Sequence, residues 1–143
     1  MNASRRSQCA GILISAVLLC TCSKPAVVPV EAEPETLFRT EFTKRIENYF
    51  EYEPLKADQP SQFLIHLTDL VDGSPVEKAE VSLTVRSHGA NQLILESAAR
   101  TGKVPGIYVA ELKIPAAGRY DIEFRIRNDK LDERLPVSNF EVQ

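Results

Sequence analysis

Beyond residue 45, apolar and polar positions alternate with period two along most of the chain. From Arg119 to Arg127, the residues Tyr120, Ile122, Phe124 and Ile126 fall on one side and Arg119, Asp121, Glu123, Arg125 and Arg127 on the other. That pattern marks a strand with one buried and one wet face. Tyr108, Ala110, Leu112 and Ile114 form a similar row just upstream, and Pro115-Ala116-Ala117-Gly118 separates the two. Pro presets φ early in a turn and Gly accepts positive φ late in it, so the pattern predicts a hairpin of 107–114 with 119–128.

The remaining rows are shorter. Ile46, Asn48, Phe50 and Tyr52 alternate with Glu47, Tyr49, Glu51 and Glu53 up to Pro54, which predicts a first, edge-like strand with the three glutamates on its outer face. In 61–69, Phe63, Ile65 and Leu67 share one face and Leu64, His66 and Thr68 the other. With both faces partly apolar, this strand belongs in the middle of a sheet. After the turn residues Asp72-Gly73-Ser74-Pro75 comes 80–88, with Val81, Leu83 and Val85 inward, then a break at Gly89-Ala90-Asn91 and a fourth strand at 93–95. Residues 99–106 read as a loop and 135–142 as the closing strand. Seven short strands spaced by Gly/Pro turns predict an all-β chain, a single immunoglobulin-like β-sandwich spanning 45–143. No helical periods alternate with the strands, which argues against an α/β fold.

The N-terminal third differs. Residues 1–22 combine Arg5 and Arg6 with an apolar run from Cys9 to Leu19, too short to span a bilayer, and read as an export signal. Leu19-Cys20-Thr21-Cys22 resembles the bacterial lipobox, which makes Cys22 the candidate lipidation site; Thr21 stands where the pattern prefers Gly, Ala or Ser. A plain secretory signal cleaved nearby is the alternative. Ser4-Arg5-Arg6 lacks the residues that complete a twin-arginine signal. Residues 23–44 carry Pro25, Pro29 and Pro34 among acids and small residues, the composition of an extended tether. Within it Leu37, Phe38, Phe42 and Ile46 show a helical spacing, so a short amphipathic helix is the alternative there.

Charge and cysteine usage narrow the function. With Arg5 and Arg6 in the leader, the residues after Cys22 hold 15 basic and 20 acidic side chains, a net of −5, which argues against nucleic-acid partners. All three cysteines, Cys9, Cys20 and Cys22, precede the predicted domain, and Met1 is the only methionine. The domain therefore has no thiolate or thioether ligand to offer a metal. Its histidines are His66, on a semi-apolar strand face, and His88, in a turn. Neither lies in a nucleophile–base or metal-ligand motif, and a hydrogen-bonded structural role is expected for His66. Glu47, Glu51 and Glu53 read as a solvated row rather than an acid/base pair. The mixed stripe of Arg119, Asp121, Glu123, Arg125 and Arg127 reads as salt-bridged surface. No enzyme, metal site or cofactor is expected.

Tyr49-Phe50-Glu51-Tyr52-Glu53-Pro54-Leu55, Gln59 to Leu70 with its Phe-x-x-His-Leu-Thr-Asp-Leu core, Pro75-Val76, Val81 and Pro115 to Tyr120 carry a resemblance. Together they resemble the N-terminal β-sandwich module of periplasmic adaptor (membrane-fusion) subunits of RND-type, often heavy-metal, efflux pumps, and in outline the YtkA-like domains. Adaptors also need a lipoyl-like domain, a helical hairpin and a membrane-proximal domain, and no heptads occur here. The resemblance therefore implies a stand-alone envelope module with an accessory or binding role, or a remnant of a longer adaptor gene. The expectation is a non-catalytic interaction domain, lipid-anchored at Cys22 and facing the periplasm. Ser23 resembles outer-membrane sorting, and the expected partners are envelope proteins such as efflux-pump subunits. A periplasmic metal or small-ligand carrier is the alternative.

Overall fold

A computed structural model describes residues 35–143; the signal segment 1–22, Cys22 and the first part of the 23–44 tether lie outside the described residues. The described residues form one compact unit, and all of the buried core residues among them belong to it, so this stretch carries its own core. Its strands are β1 (Leu37–Phe42), β2 (Ile46–Tyr52), β3 (Pro60–Asp69), β4 (Glu80–Ser87), β5 (Leu93–Ala98), β6 (Arg100–Thr101), β7 (Ile107–Lys113), β8 (Gly118–Arg127) and β9 (Asp132–Val142). They form a five-stranded sheet, β1-β2-β3-β7-β6, and a four-stranded sheet, β5-β4-β8-β9, with every pairing antiparallel. The chain is thus an all-β sandwich. In the immunoglobulin arrangement, β2-β3-β7-β6 take the A-B-E-D places and β5-β4-β8-β9 the C′-C-F-G places, with β1 added outside β2.

Nine strands replace the seven expected from sequence. One of the additional two is β6, inside the stretch read as a loop. The other is β1, inside the stretch read as tether, where the structure has a strand and not the amphipathic helix. Six residues of β1 pair with β2 in unbroken register, Leu37 with Tyr52 through Phe42 with Glu47. Leu37, Arg39 and Glu41 then alternate with Phe38, Thr40 and Phe42, and that period of two prevails over the weak helical spacing. As a result β2 is not an edge, and β1 covers it.

A second correction concerns the predicted hairpin. Its two rows are buried as expected, Tyr108, Ala110, Leu112 and Ile114 on one side and Tyr120, Ile122, Phe124 and Ile126 on the other. Yet β7 pairs with β3 and β6, whereas β8 pairs with β4 and β9. The two strands belong to opposite sheets instead of lying side by side. The connection Pro115–Ala117 carries the chain from one sheet to the other, and Gly118 follows with φ of 148°, open to glycine and strained for other residues. The Tyr120 hydroxyl donates to the Ala116 carbonyl at 2.8 Å, the tyrosine corner of immunoglobulin-type sandwiches.

Between the sheets lies a continuous core. Phe50 and Phe124 approach to 4.8 Å between ring centroids, Tyr52 stacks on Phe63 at 5.0 Å, and Phe140 meets Tyr52 edge-on at 5.5 Å. Tyr108 is buried with both hydroxyl functions used, donating to the Val76 carbonyl at 2.8 Å and accepting from the Ala79 N–H at 3.0 Å. Nearby Gly106, at φ 77°, leaves no room for a side chain, since a Cβ would come within 2.6 Å of Pro75 Cβ. Asn48 is the exception in the core. It is fully buried in the inward row of β2, and neither its amide nitrogen nor its oxygen meets a hydrogen-bond partner.

Candidate interaction surface

Each sheet has an outer face, and the residues singled out in the sequence divide between them. On the four-stranded sheet, β8 presents Arg119, Asp121, Glu123, Arg125 and Arg127 outward. The register sets them beside opposite charges: Arg125 bonds Asp132 of β9 at 3.1 Å, Arg134 of β9 bonds Glu123 at 3.0 Å, and Arg127 bonds Glu80 of β4. Asp121 sits where β8 and β9 slip register, against Asn139 at φ 66°. His88 Nδ1 lies 2.9 Å from its carboxylate, and the Asn139 N–H donates to it at 3.2 Å. Burial pushes the Asp121 carboxyl up, but His88, the Asn139 N–H and the Ser138 hydroxyl outweigh it and hold it below the usual range. The salt-bridged surface read from the sequence is therefore present, with its partners on β4 and β9.

The outer face of the five-stranded sheet is different. Cross-strand pairing lines up Thr40, Tyr49, His66 and Ile107 in one row and Phe38, Glu51, Leu64, Val109 and Arg100 in the next. The Tyr49 ring meets the edge of His66 at 5.3 Å and tilts towards Phe38 at 6.2 Å. The Tyr49 hydroxyl donates to Glu51 at 2.7 Å; that bond, with burial added, raises its pKa. His66 departs from the expected hydrogen-bonded role, because its Nε2 is buried without a hydrogen-bond partner. Packing against Tyr49 holds it instead. Glu47 and Glu51 do share the outer face, while Glu53 is exposed beyond the end of β2. Glu51 accepts the Tyr49 hydroxyl, and Glu47 is set opposite Phe42 of β1.

At the rim of this face Phe38 is 69% exposed and Phe42 59% exposed, both on β1. This aromatic rim is the feature sequence reasoning missed. The alternation of Phe38, Thr40 and Phe42 with Leu37, Arg39 and Glu41 was the available signal, masked by prolines immediately upstream. At one end of the sandwich, Asp69 is clamped by Arg45 through two bonds of 2.9 and 2.8 Å and also accepts the Val71 N–H; the Arg45 bond leads in lowering its pKa. An open cleft of about 390 Å³ lies beside it, lined by Asp69, Val76, Lys78, Asn128, Lys130 and Leu131. Among the described residues no three His, Cys, Asp or Glu side chains converge as a metal-binding group, and no helix is long and apolar enough to cross a membrane.

No protein-family model matches the chain, and no curated protein matches it. Among solved structures, the crystal structure of "as isolated" FetP from uropathogenic E. coli strain F11, expressed recombinantly in the periplasm of E. coli BL21(DE3), aligns with a TM-score of 0.50 at 10% identity. The alignment covers 76% of this chain and 99% of FetP. At that identity the likeness is one of fold alone.

Proposed function

We propose that the chain is a non-catalytic interaction module of the bacterial envelope, lipid-anchored at Cys22 and presenting its five-stranded sheet to a protein partner. The observation that carries this reading is the contrast between the outer faces. One is closed by cross-strand ion pairs, and the other exposes Phe38 and Phe42 beside the half-buried Tyr49–His66 pair, the aromatic composition typical of contact surfaces. The efflux assignment rests on the resemblance of Tyr49–Val81 and Pro115–Tyr120 to the adaptor module, and the export signal supports a periplasmic location.

Photo-crosslinking in cells tests the reading. A crosslinker at position 66 is expected to capture an envelope protein, with an RND transporter or adaptor subunit among the products, and one at position 123 is expected to capture none. Equal capture at both positions overturns the choice of face, and recovery without any pump component overturns the efflux assignment. For the anchor, Cys22→Ala is expected to move the protein from membranes to the soluble periplasmic fraction; a variant that stays with membranes overturns it. Calorimetric binding of copper or zinc at micromolar affinity, lost in His66→Ala, would replace the interaction role with a carrier role.

A further inference from the structure

Among the described residues β1 is an unpaired edge of the five-stranded sheet, and its sequence, Leu-Phe-Arg-Thr-Glu-Phe, is complementary to itself. In the β1–β2 ladder the Thr43 N–H donates to the Ile46 carbonyl at 2.9 Å. Continuing the same register, Glu41, Arg39 and Leu37 exchange backbone bonds with β2. The N–H and C=O groups of Phe38, Thr40 and Phe42 consequently point away from β2, toward the open edge.

An antiparallel partner strand must match both the pleat and this bonding parity, so only registers centred on a residue qualify. Centring on Arg39 or on Glu41 sets like charges opposite each other. Centring on Thr40 sets Phe38 opposite Phe42, Arg39 opposite Glu41, Thr40 opposite itself, and then the same pairs in reverse. On the outer face each exposed phenylalanine covers the other. On the inner side Arg39, which already bonds Glu41 of its own strand at 2.8 Å, gains a second carboxylate, closing a ring of two arginines and two glutamates. Inward-pointing charges usually blunt an edge strand against pairing. Here their signs alternate so that a second copy satisfies them.

We infer that β1 joins β1 of a second copy in the register centred on Thr40, fusing the two five-stranded sheets into one ten-stranded sheet. This inference does not depend on the efflux assignment. Its effect is to merge the two Tyr49–His66 faces into a single surface with the phenylalanines at its middle.

Charge reversal tests it on residues 33–143 by sedimentation equilibrium. The parent is expected to be a dimer at tens of micromolar, with circular dichroism confirming that all variants stay folded. Arg39→Glu alone and Glu41→Arg alone each place like charges opposite at two points and are expected to weaken the dimer about tenfold or more. Mixing the two variants restores both ion pairs in a heterodimer, an outcome that the Arg39–Glu41 contact within one chain does not produce. Thr40→Cys is expected to form an intermolecular disulfide on mild oxidation, since directly opposed residues lie about 5.5 Å apart. A parent that stays monomeric at 100 micromolar, a dimer indifferent to both reversals, or a mixture no tighter than its components overturns the proposal.

Discussion

The two sheets contribute similar inner faces and opposite outer ones. Inward, Phe50 and Phe63 of one sheet meet Phe124 and Phe140 of the other in a single aromatic core. Outward, the four-stranded sheet pairs Arg125 with Asp132, Arg134 with Glu123 and His88 with Asp121, whereas the five-stranded sheet leaves Phe38 and Phe42 in solvent. The core requirement is the same for both sheets, so it cannot be the source of the difference. A face that satisfies its own charges needs no partner, and one that exposes rings over a free edge is arranged to receive one.

The shared interior sets the scale for every comparison between the faces. Phe124→Ala removes a fully buried ring that touches Phe50 across the sandwich, and is expected to cost about 3–5 kcal/mol in urea unfolding of residues 33–143. A loss as small as that of an outer-face variant would mean that the two sheets do not share one core. Tyr120→Phe leaves the Ala116 carbonyl without its donor and is expected to cost about 1–2 kcal/mol, measured the same way. Asn48→Val should move stability upward by about 1 kcal/mol, because it replaces a buried amide that has no partner with a β-branched side chain suited to a strand.

Legibility in the sequence followed the same division. Inward rows could be read because burial on a strand imposes period two, and Phe63, Ile65, Leu67, Val81, Leu83, Val85, Tyr120, Ile122, Phe124 and Ile126 are all buried as their pattern predicts. Strand pairing was harder. The Pro115–Gly118 corner shares its chemistry with a hairpin turn, and only the Tyr120 hydroxyl reaching back to Ala116 distinguishes an arch between sheets. The expected hairpin therefore implied the wrong neighbours for β8, which pairs with β4 and β9. Strand β1 was hidden because its composition continues that of the Pro/Glu-rich stretch before it, and its alternation spans only six residues. The interaction surface was legible in part: His66 and the glutamates of β2 were in view, but the face they belong to is created by β1.

Acid should separate the outer faces next. The Asp121 carboxyl is held below its ordinary value in the folded chain, so the stabilisation it provides is complete above its unfolded value of about 3.9 and is lost as pH falls through the folded one. Unfolding of the parent and of Asp121→Asn is expected to differ most clearly near pH 5 and to converge progressively as pH falls below about 4. Tyr49→Phe, on the aromatic face, should show the same offset across that range. A pH-independent gap for Asp121→Asn would mean that His88 and the Asn139 N–H do not favour its ionised form.

The smallest effects bear most directly on the contrast. Arg125 is more than a third exposed at its side chain, and its bond to Asp132 is a surface ion pair screened by solvent, so Arg125→Ala should change stability by no more than about 0.5 kcal/mol. Phe38→Ser removes a ring already largely in water from an edge strand and should also stay within about 0.5 kcal/mol in the monomeric state. The two substitutions are then equal in folding and unequal in association. Arg125→Ala should leave sedimentation and crosslinking unchanged. Phe38→Ser removes, in each copy, the ring opposite Phe42 and the neighbour of Tyr49, and should weaken both self-association and capture at position 66. If Phe38→Ser instead destabilises the monomer by 2 kcal/mol or more, its ring belongs to the core of the domain, and the five-stranded face is no more open than the four-stranded one.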